Sequence, residues 1–227
     1  MSIKLGILGA TGKVGAECLK LLETWPETDL QISELGLFGT ERSEGRKILF
    51  KGKELIVKNS TIENLKGFDA LISCANGDVS EKLVPEAIKN GVKLVMDTDS
   101  YYRMKDDVPL VTVGVNDEDI DWHKGIIAGP NCSTAQLILP LKALHKAFEL
   151  ERVVVSTYQS VSGAGKAAMD ELIEESKQVA SQEGLSVDGM RPLKDEQFAF
   201  NVIPRISRVL EDGYSKEEWK VQAETRK

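Results

Sequence analysis

Reactive side chains concentrate in one short run of this sequence, Gly129-Pro130-Asn131-Cys132-Ser133-Thr134-Ala135-Gln136. A β-branched apolar stretch, Gly125-Ile126-Ile127-Ala128, leads into it, and a long apolar helical pattern, Leu137 to Phe148, leads out. Cys132 is therefore expected where a strand ends and a helix begins. The unpaired N–H groups and positive dipole end of a helix favour a thiolate there. A thiolate so placed is a nucleophile suited to carbonyl chemistry. Cys18 and Cys74 lack that context and read as small apolar core residues.

A second chemical run, Gly9-Ala10-Thr11-Gly12-Lys13-Val14-Gly15, lies between the first apolar strand and the first helical pattern. Glycines in a strand–turn–helix junction let backbone approach phosphate, and the helix N-terminus receives the anion. The end of the next strand reads Gly39-Thr40-Glu41-Arg42-Ser43. An acidic residue there suits a ribose 2′-hydroxyl, whereas arginine suits a 2′-phosphate. Arg42 supplies a planar fork of donors, and Thr40 and Ser43 supply hydroxyls, so NADP is the expected cofactor, with Glu41 as the counter-signal unless it is a solvated loop charge.

Thiolate chemistry at a carbonyl also needs a proton donor and acceptor, most often histidine. The chain has two. His145 is thirteen residues beyond Cys132 on the same expected helix, about 20 Å away at about 1.5 Å per residue. His123 precedes the strand whose far end delivers Cys132, which assigns it to the opposite edge of the sheet. In open α/β sheets ligands lie at the carboxyl ends of the strands. Neither histidine is expected beside Cys132.

The elements that must position these groups alternate. Strand-like runs at Ile3 to Leu8, Glu34 to Phe38, Ala70 to Cys74, Lys93 to Met96 and Ile126 to Ala128 enclose helical patterns at Val14 to Leu22 and Glu81 to Lys89. Val14, Cys18, Leu21 and Leu22 form the expected apolar face of the first helix. Alternation of this kind implies an α/β fold with a mostly parallel sheet. Beyond Cys132 the sequence predicts a helix to Phe148 loosened at Pro140, and a strand over Glu151 to Gln159. It then predicts a helix from Ala164 to about Gln182, a loop over Asp188 to Glu196, a short extended Asn201-Val202-Ile203-Pro204, and a last helix capped by Ser215. The organisation expected is a Rossmann-type nucleotide-binding domain over residues 1–132 and an incomplete α+β catalytic and dimerisation domain over residues 133–227.

Composition narrows the partners. With 29 basic and 36 acidic residues the net charge is −7, a poor balance for nucleic acid. No long apolar run suggests a membrane span, and three cysteines without metal-ligand spacing suit a reducing cytoplasm and give no metal site.

Gly9 to Gly15, Pro130-Asn131-Cys132-Ser133-Thr134, Ser156-Thr157-Tyr158-Gln159-Ser160-Val161-Ser162-Gly163-Ala164-Gly165, Asn201 to Pro204, and Gly213 to Glu218 followed by Glu224-Thr225-Arg226-Lys227 together resemble aspartate-semialdehyde dehydrogenase. The resemblance runs the length of the chain in order. It implies NADPH-dependent reductive dephosphorylation of aspartyl phosphate to aspartate semialdehyde, a step toward lysine, threonine, methionine and diaminopimelate. It further implies Cys132 as the nucleophile that forms an acyl thioester and Gln159 as a positioning group. Arg103 and Lys227 become phosphate ligands, Glu224 the receiver of the substrate ammonium, and Ser162 and Gly163 a turn beside the nicotinamide. Cations at a departing phosphate make sense by charge alone, and Glu224 and Lys227, three apart, share a helix face. A homodimer or homotetramer with a small-molecule substrate is also implied.

Family members usually run a third or more longer, and the resemblance assigns the catalytic histidine and a substrate-binding arginine to that further part. It therefore implies a fragment that is weakly active alone. Asp97-Thr98-Asp99-Ser100 departs from the family's Asp-Asn-Ser-Ser, and Gly129 replaces a common asparagine. Two other readings fit the residues: an N-acetyl-γ-glutamyl-phosphate reductase, which has no substrate ammonium for Glu224, and a nucleotide-binding pseudoenzyme.

Overall fold

The computed structural model describes residues 2–26, 30–181 and 196–227. They form two compact units, one of Met1–Glu151 with Lys220–Lys227 and one of Arg152–Trp219.

The first unit is built on a sheet of seven strands: β1 (Ser2–Leu8), β2 (Gln31–Gly39), β3 (Lys47–Phe50), β4 (Lys53–Asn59), β5 (Ala70–Ser73), β6 (Leu94–Asp97) and β7 (Ile126–Ala128). Their order is β3-β4-β2-β1-β5-β6-β7, and every pairing is parallel except β3 with β4. Helices α1 (Lys13–Thr24), the short α2 (Ile62–Leu65), α3 (Gly77–Lys89) and α4 (Cys132–Phe148) are interleaved. The α/β sheet expected from alternation is thus present. Leu8, Phe38, Leu71, Val84 and Val95 pack one buried core, and Leu5, Ile7, Leu19, Leu37 and Val57 pack another.

Parallel pairing has a direct consequence. The carboxyl ends of β2, β1, β5, β6 and β7 lie on one edge, so the segments starting at Thr40, Gly9, Cys74, Thr98 and Gly129 emerge side by side. Both chemical runs of the sequence belong to that edge.

Three features of this unit add to or depart from the sequence expectations. The β3–β4 hairpin was not foreseen; it turns through Lys51 and Gly52, whose φ of 45° and 76° suit a two-residue turn of the I′ kind. The inward face of α1 is Gly15, Leu19 and Leu22 rather than one including Val14 and Leu21, which are 55% and 62% exposed. A Cβ on Gly15 would lie 2.4 Å from the Gly9 carbonyl oxygen, so close contact with the turn sets the rotation of the helix. Third, α4 ends at Phe148 as expected and continues as a helix on both sides of Pro140.

The second unit contains a 3₁₀ turn at Val161–Ala164, α5 (Lys166–Ala180) and the start of α6 (Lys216–Arg226), whose residues from Lys220 belong to the first unit. Ser215 and Glu218 close a reciprocal cap on α6, with Ser215 N–H to Glu218 Oε2 at 2.6 Å and Glu218 N–H to Ser215 Oγ at 3.3 Å. The strand expected over Glu151 to Gln159 is absent: these residues are exposed and unpaired as a ladder. A β-branched run becomes a strand only where another strand supplies hydrogen-bond partners, and none of the described residues does so. Asn201 to Pro204 likewise pairs with nothing in a ladder. The end of the expected helix at Gln182 and the loop expected from Asp188 fall outside the described residues, save Glu196.

Gly15→Ala should therefore lower stability by about 1–3 kcal/mol, the usual range for overpacking. Urea unfolding followed by circular dichroism measures it, and an unchanged midpoint would show that α1 can move away from the turn freely.

Candidate active site

The glycine turn is shaped by backbone contact. Gly9 has φ +73°, and a Cβ there would meet the Cys74 carbonyl oxygen at 2.6 Å. Gly12 is the N-cap of α1 with no side-chain cap, and the first turn carries no acidic residue. Donor groups at this helix end are thus left for an anion, with Thr11 half-buried and Lys13 and Val14 exposed beside it. The neighbouring turn, Glu41–Ser43, is 3₁₀ with Thr40 as its N-cap; Thr40 and Arg42 are exposed, and Ser43 Oγ donates to the Thr40 carbonyl at 2.9 Å. A nucleotide phosphate fits the first feature, and the exposed guanidinium of Arg42 is available to a second phosphate.

Cys132 is exposed and is the first residue of α4. The N-cap is Asn131, whose Oδ1 accepts the Ser133 N–H at 2.8 Å; Cys132 Sγ lies 3.9 Å from the same oxygen. The buried Asn131 N–H donates to Glu224 Oε2 at 2.6 Å. Glu224 comes from the last turn of α6, and its Oε1 accepts from Arg103 Nη1 at 3.0 Å. The two side chains are only 8% and 1% exposed. Arg103 is held on two further sides, by Nε to the Gly129 carbonyl at 2.9 Å and Nη2 to the Thr98 carbonyl at 2.7 Å. Arg103, Glu224 and the Cys132 loop therefore form one connected group.

Lys227 joins the same region differently. Its ammonium donates to the carbonyl oxygens of Arg103, Lys105 and Val108 at 2.8, 2.6 and 3.1 Å. Burial pushes this ammonium below its ordinary range, and Asp106 and Asp107 oppose the shift. Beneath the Arg103 turn lies Asp97, which is 1% exposed and accepts the Ser80 hydroxyl at 2.9 Å. Burial raises its carboxyl above the ordinary 3.8, against the hydrogen bond from Ser80. Asp99 accepts the Tyr101 N–H at 2.9 Å.

The remaining sequence candidates belong to the second unit. Gln159 is exposed; its Nε2 donates to Glu217 at 3.3 Å and its Oε1 accepts the Thr157 hydroxyl at 3.1 Å. Ser162 and Gly163 form the exposed 3₁₀ turn, where the Ser162 N–H donates to Ser160 Oγ at 3.3 Å. His145 stands on α4 far from Cys132, and His123 follows the turn that enters β7, its Nδ1 accepting the Gly125 N–H at 2.9 Å.

Comparison with known proteins identifies the family. A family model for the NAD-binding domain of semialdehyde dehydrogenase matches residues 4–123, and one for the dimerisation domain matches residues 141–227. The chain belongs to the aspartate-semialdehyde dehydrogenase family. A relative of that name from Aquifex aeolicus is 46% identical, with 100% of this chain and 66% of the relative covered. Another from Bacillus subtilis is 41% identical, covering 99% of this chain and 65% of the relative. The crystal structure of aspartate semialdehyde dehydrogenase II from Vibrio cholerae superposes with a TM-score of 0.88 at 38% identity, over 100% of this chain and 66% of that one. The chain thus spans about two thirds of the length of the curated relatives it matches, 65% and 66% for these two. Cys132 lies between the two matched segments.

Asn131 and Asp97 have no role assigned from the sequence, and the structure gives each one. The first had a usable signal, an asparagine one residue ahead of a helix. The second had none, since its burial follows from strand order.

Two measurements test the site as built. Breaking a buried ion pair from one side leaves an uncompensated charge, so Arg103→Ala and Glu224→Ala should each cost about 3–5 kcal/mol. The double variant should cost less than their sum by at least about 1 kcal/mol, whereas additive losses in urea unfolding would show the pair to be uncoupled. For Asp97, a raised value in the folded state means its contribution is full below about pH 3.8 and declines as pH rises through that raised value. The stability of the protein relative to Asp97→Asn should therefore fall as pH rises above about 3.8 and level off once the raised value is passed. A difference flat or rising over that window would contradict the assignment.

Proposed function

We propose that this chain carries the nucleotide-binding and nucleophilic groups for NADP-dependent reductive dephosphorylation of L-aspartyl 4-phosphate to L-aspartate 4-semialdehyde. The observation that supports it most strongly is the exposed Cys132 at a helix start, on the sheet edge that also carries the glycine turn, with the Arg103–Glu224 pair one hydrogen bond away. The division proposed is a nucleotide-binding domain over residues 1–132 and a catalytic and dimerisation domain over residues 133–227, assembling as a homodimer or homotetramer. Three free cysteines suit a cytoplasmic setting. Among the described residues no helix is long and apolar enough to cross a membrane.

In this reading the phosphates of NADP lie against Gly9, Thr11, Gly12, Lys13, Val14 and Gly15. Thr40, Arg42 and Ser43 take the 2′-phosphate, and Ser162 and Gly163 flank the nicotinamide. The bound cofactor supplies hydride. Cys132 Sγ attacks the acyl carbon and the C–O bond to phosphate breaks, leaving a thioester on Cys132. Phosphate departs toward the guanidinium of Arg103, and Lys227 adds positive charge while its hydrogens fix the Arg103–Val108 loop. Glu224 receives the substrate ammonium, and Gln159 orients the acyl group.

Proton transfer is the weak point of this chain, because neither His123 nor His145 stands beside Cys132. Phosphate-dependent NADP reduction with aspartate semialdehyde should run below about 1% of a family enzyme's rate, given the usual contribution of a general base. Cys132→Ser should remove what remains, and KM should be lower for NADP than for NAD. A full rate, a rate indifferent to Cys132, or a preference for NAD would each overturn the corresponding assignment.

A further inference from the structure

We propose that the Arg103–Glu224 ion pair is a charge lock: it makes the site select a ligand that brings both an ammonium and a phosphate, and makes the two charges bind cooperatively. This rests on the roles given above to Arg103 and Glu224.

The guanidinium assigned to phosphate and the carboxylate assigned to ammonium neutralise each other at 3.0 Å, with side chains 8% and 1% exposed. A ligand reaches either group only by parting the pair. Phosphate alone would draw Arg103 Nη1 away and leave the buried Glu224 carboxylate with the Asn131 N–H as its remaining contact in this network. An ammonium alone would leave the Nη1 corner of a buried guanidinium without its counter-ion. Parting a buried pair from one side is strongly unfavourable. A ligand set that brings both charges compensates both groups in the same event.

The surroundings make the exchange local. When the Nη1 contact opens, Arg103 keeps Nε on the Gly129 carbonyl and Nη2 on the Thr98 carbonyl, and Glu224 keeps Oε2 on Asn131. The groups change partners without leaving their places. Lys227 pins the carbonyls of Arg103, Lys105 and Val108, which keeps the arginine's loop fixed during the exchange. Linkage then requires each charge to raise the affinity for the other by the same factor. An acylated amine brings no cation for Glu224 and gains nothing from the lock, so the site discriminates against that class of substrate.

The test is equilibrium dialysis of radiolabelled inorganic phosphate against the 227-residue chain. It is done alone, with L-aspartate 4-semialdehyde, and with succinate semialdehyde, which has the same carbon skeleton without the amine. Phosphate should bind at least about tenfold more tightly with the aminated aldehyde, within the usual span of coupling energies, and no more tightly with the des-amino one. Glu224→Gln should bind phosphate alone more tightly than the parent and lose the dependence on amine. The comparison of the two aldehydes needs no variant, so it stands even if Glu224→Gln fails to fold. Equal phosphate affinity in all three conditions, abolished by Arg103→Gln, would overturn the lock and leave the proposed function standing. No phosphate binding in any condition would overturn both.

Discussion

A carboxylate and a guanidinium removed from water tolerate few arrangements, and the geometry of this protein's reactive edge follows from that restriction. Glu224 and Arg103 are buried together, and a buried ion pair persists only if its remaining hydrogen-bonding capacity is also met. Arg103 is met by the carbonyls of Thr98 and Gly129, and Glu224 by the N–H of Asn131. Each of these partners is a backbone group from a loop. The pair therefore dictates the path of the chain after β6 and after β7, and with it the point at which α4 begins and Cys132 is presented. Buried pairs of this kind contribute little net stability compared with apolar packing, but they fix a geometry.

The parallel sheet makes that arrangement possible. Because β1, β2, β5, β6 and β7 run the same way, their following loops meet on one edge whatever their separation in sequence. The glycine turn and the cysteine loop then share an edge without touching in sequence. Close approach matters more than flexibility at Gly15, where any side chain would collide with the backbone of the turn.

Local chemistry was legible in the sequence, and long-range pairing was not. The glycine turn and the position of Cys132 at a strand–helix junction are properties of fewer than ten consecutive residues, and the alternating pattern gave the sheet. The hairpin of β3 and β4 was hidden because its strands are short and its turn, Lys51-Gly52, puts a lysine rather than asparagine or aspartate at a positive φ. The run from Arg152 to Tyr158 shows the opposite error: β-branched residues advertise a strand, yet a strand exists only through its neighbours. Arg103 and Glu224 were both singled out, but as separate ligands. Their contact spans 121 positions, and no spacing rule reaches so far. The resemblance makes Lys227 a phosphate ligand, and the structure shows its ammonium donating to three carbonyls as well.

The chain belongs to the aspartate-semialdehyde dehydrogenase family, and its glycine turn and Cys132 emerge on one sheet edge. What this chain adds is a structural link between the charged pair and the helix that begins at Cys132, carried by one backbone amide. Hydrogen exchange at the Asn131 N–H, followed by NMR, reports on that link most directly. If the buried Glu224 carboxylate holds the amide, Asn131 should exchange as slowly as the amides of the central strands, and Glu224→Gln should speed it markedly. Exchange of Asn131 at the rate of an exposed loop amide, unaffected by the substitution, would contradict the account.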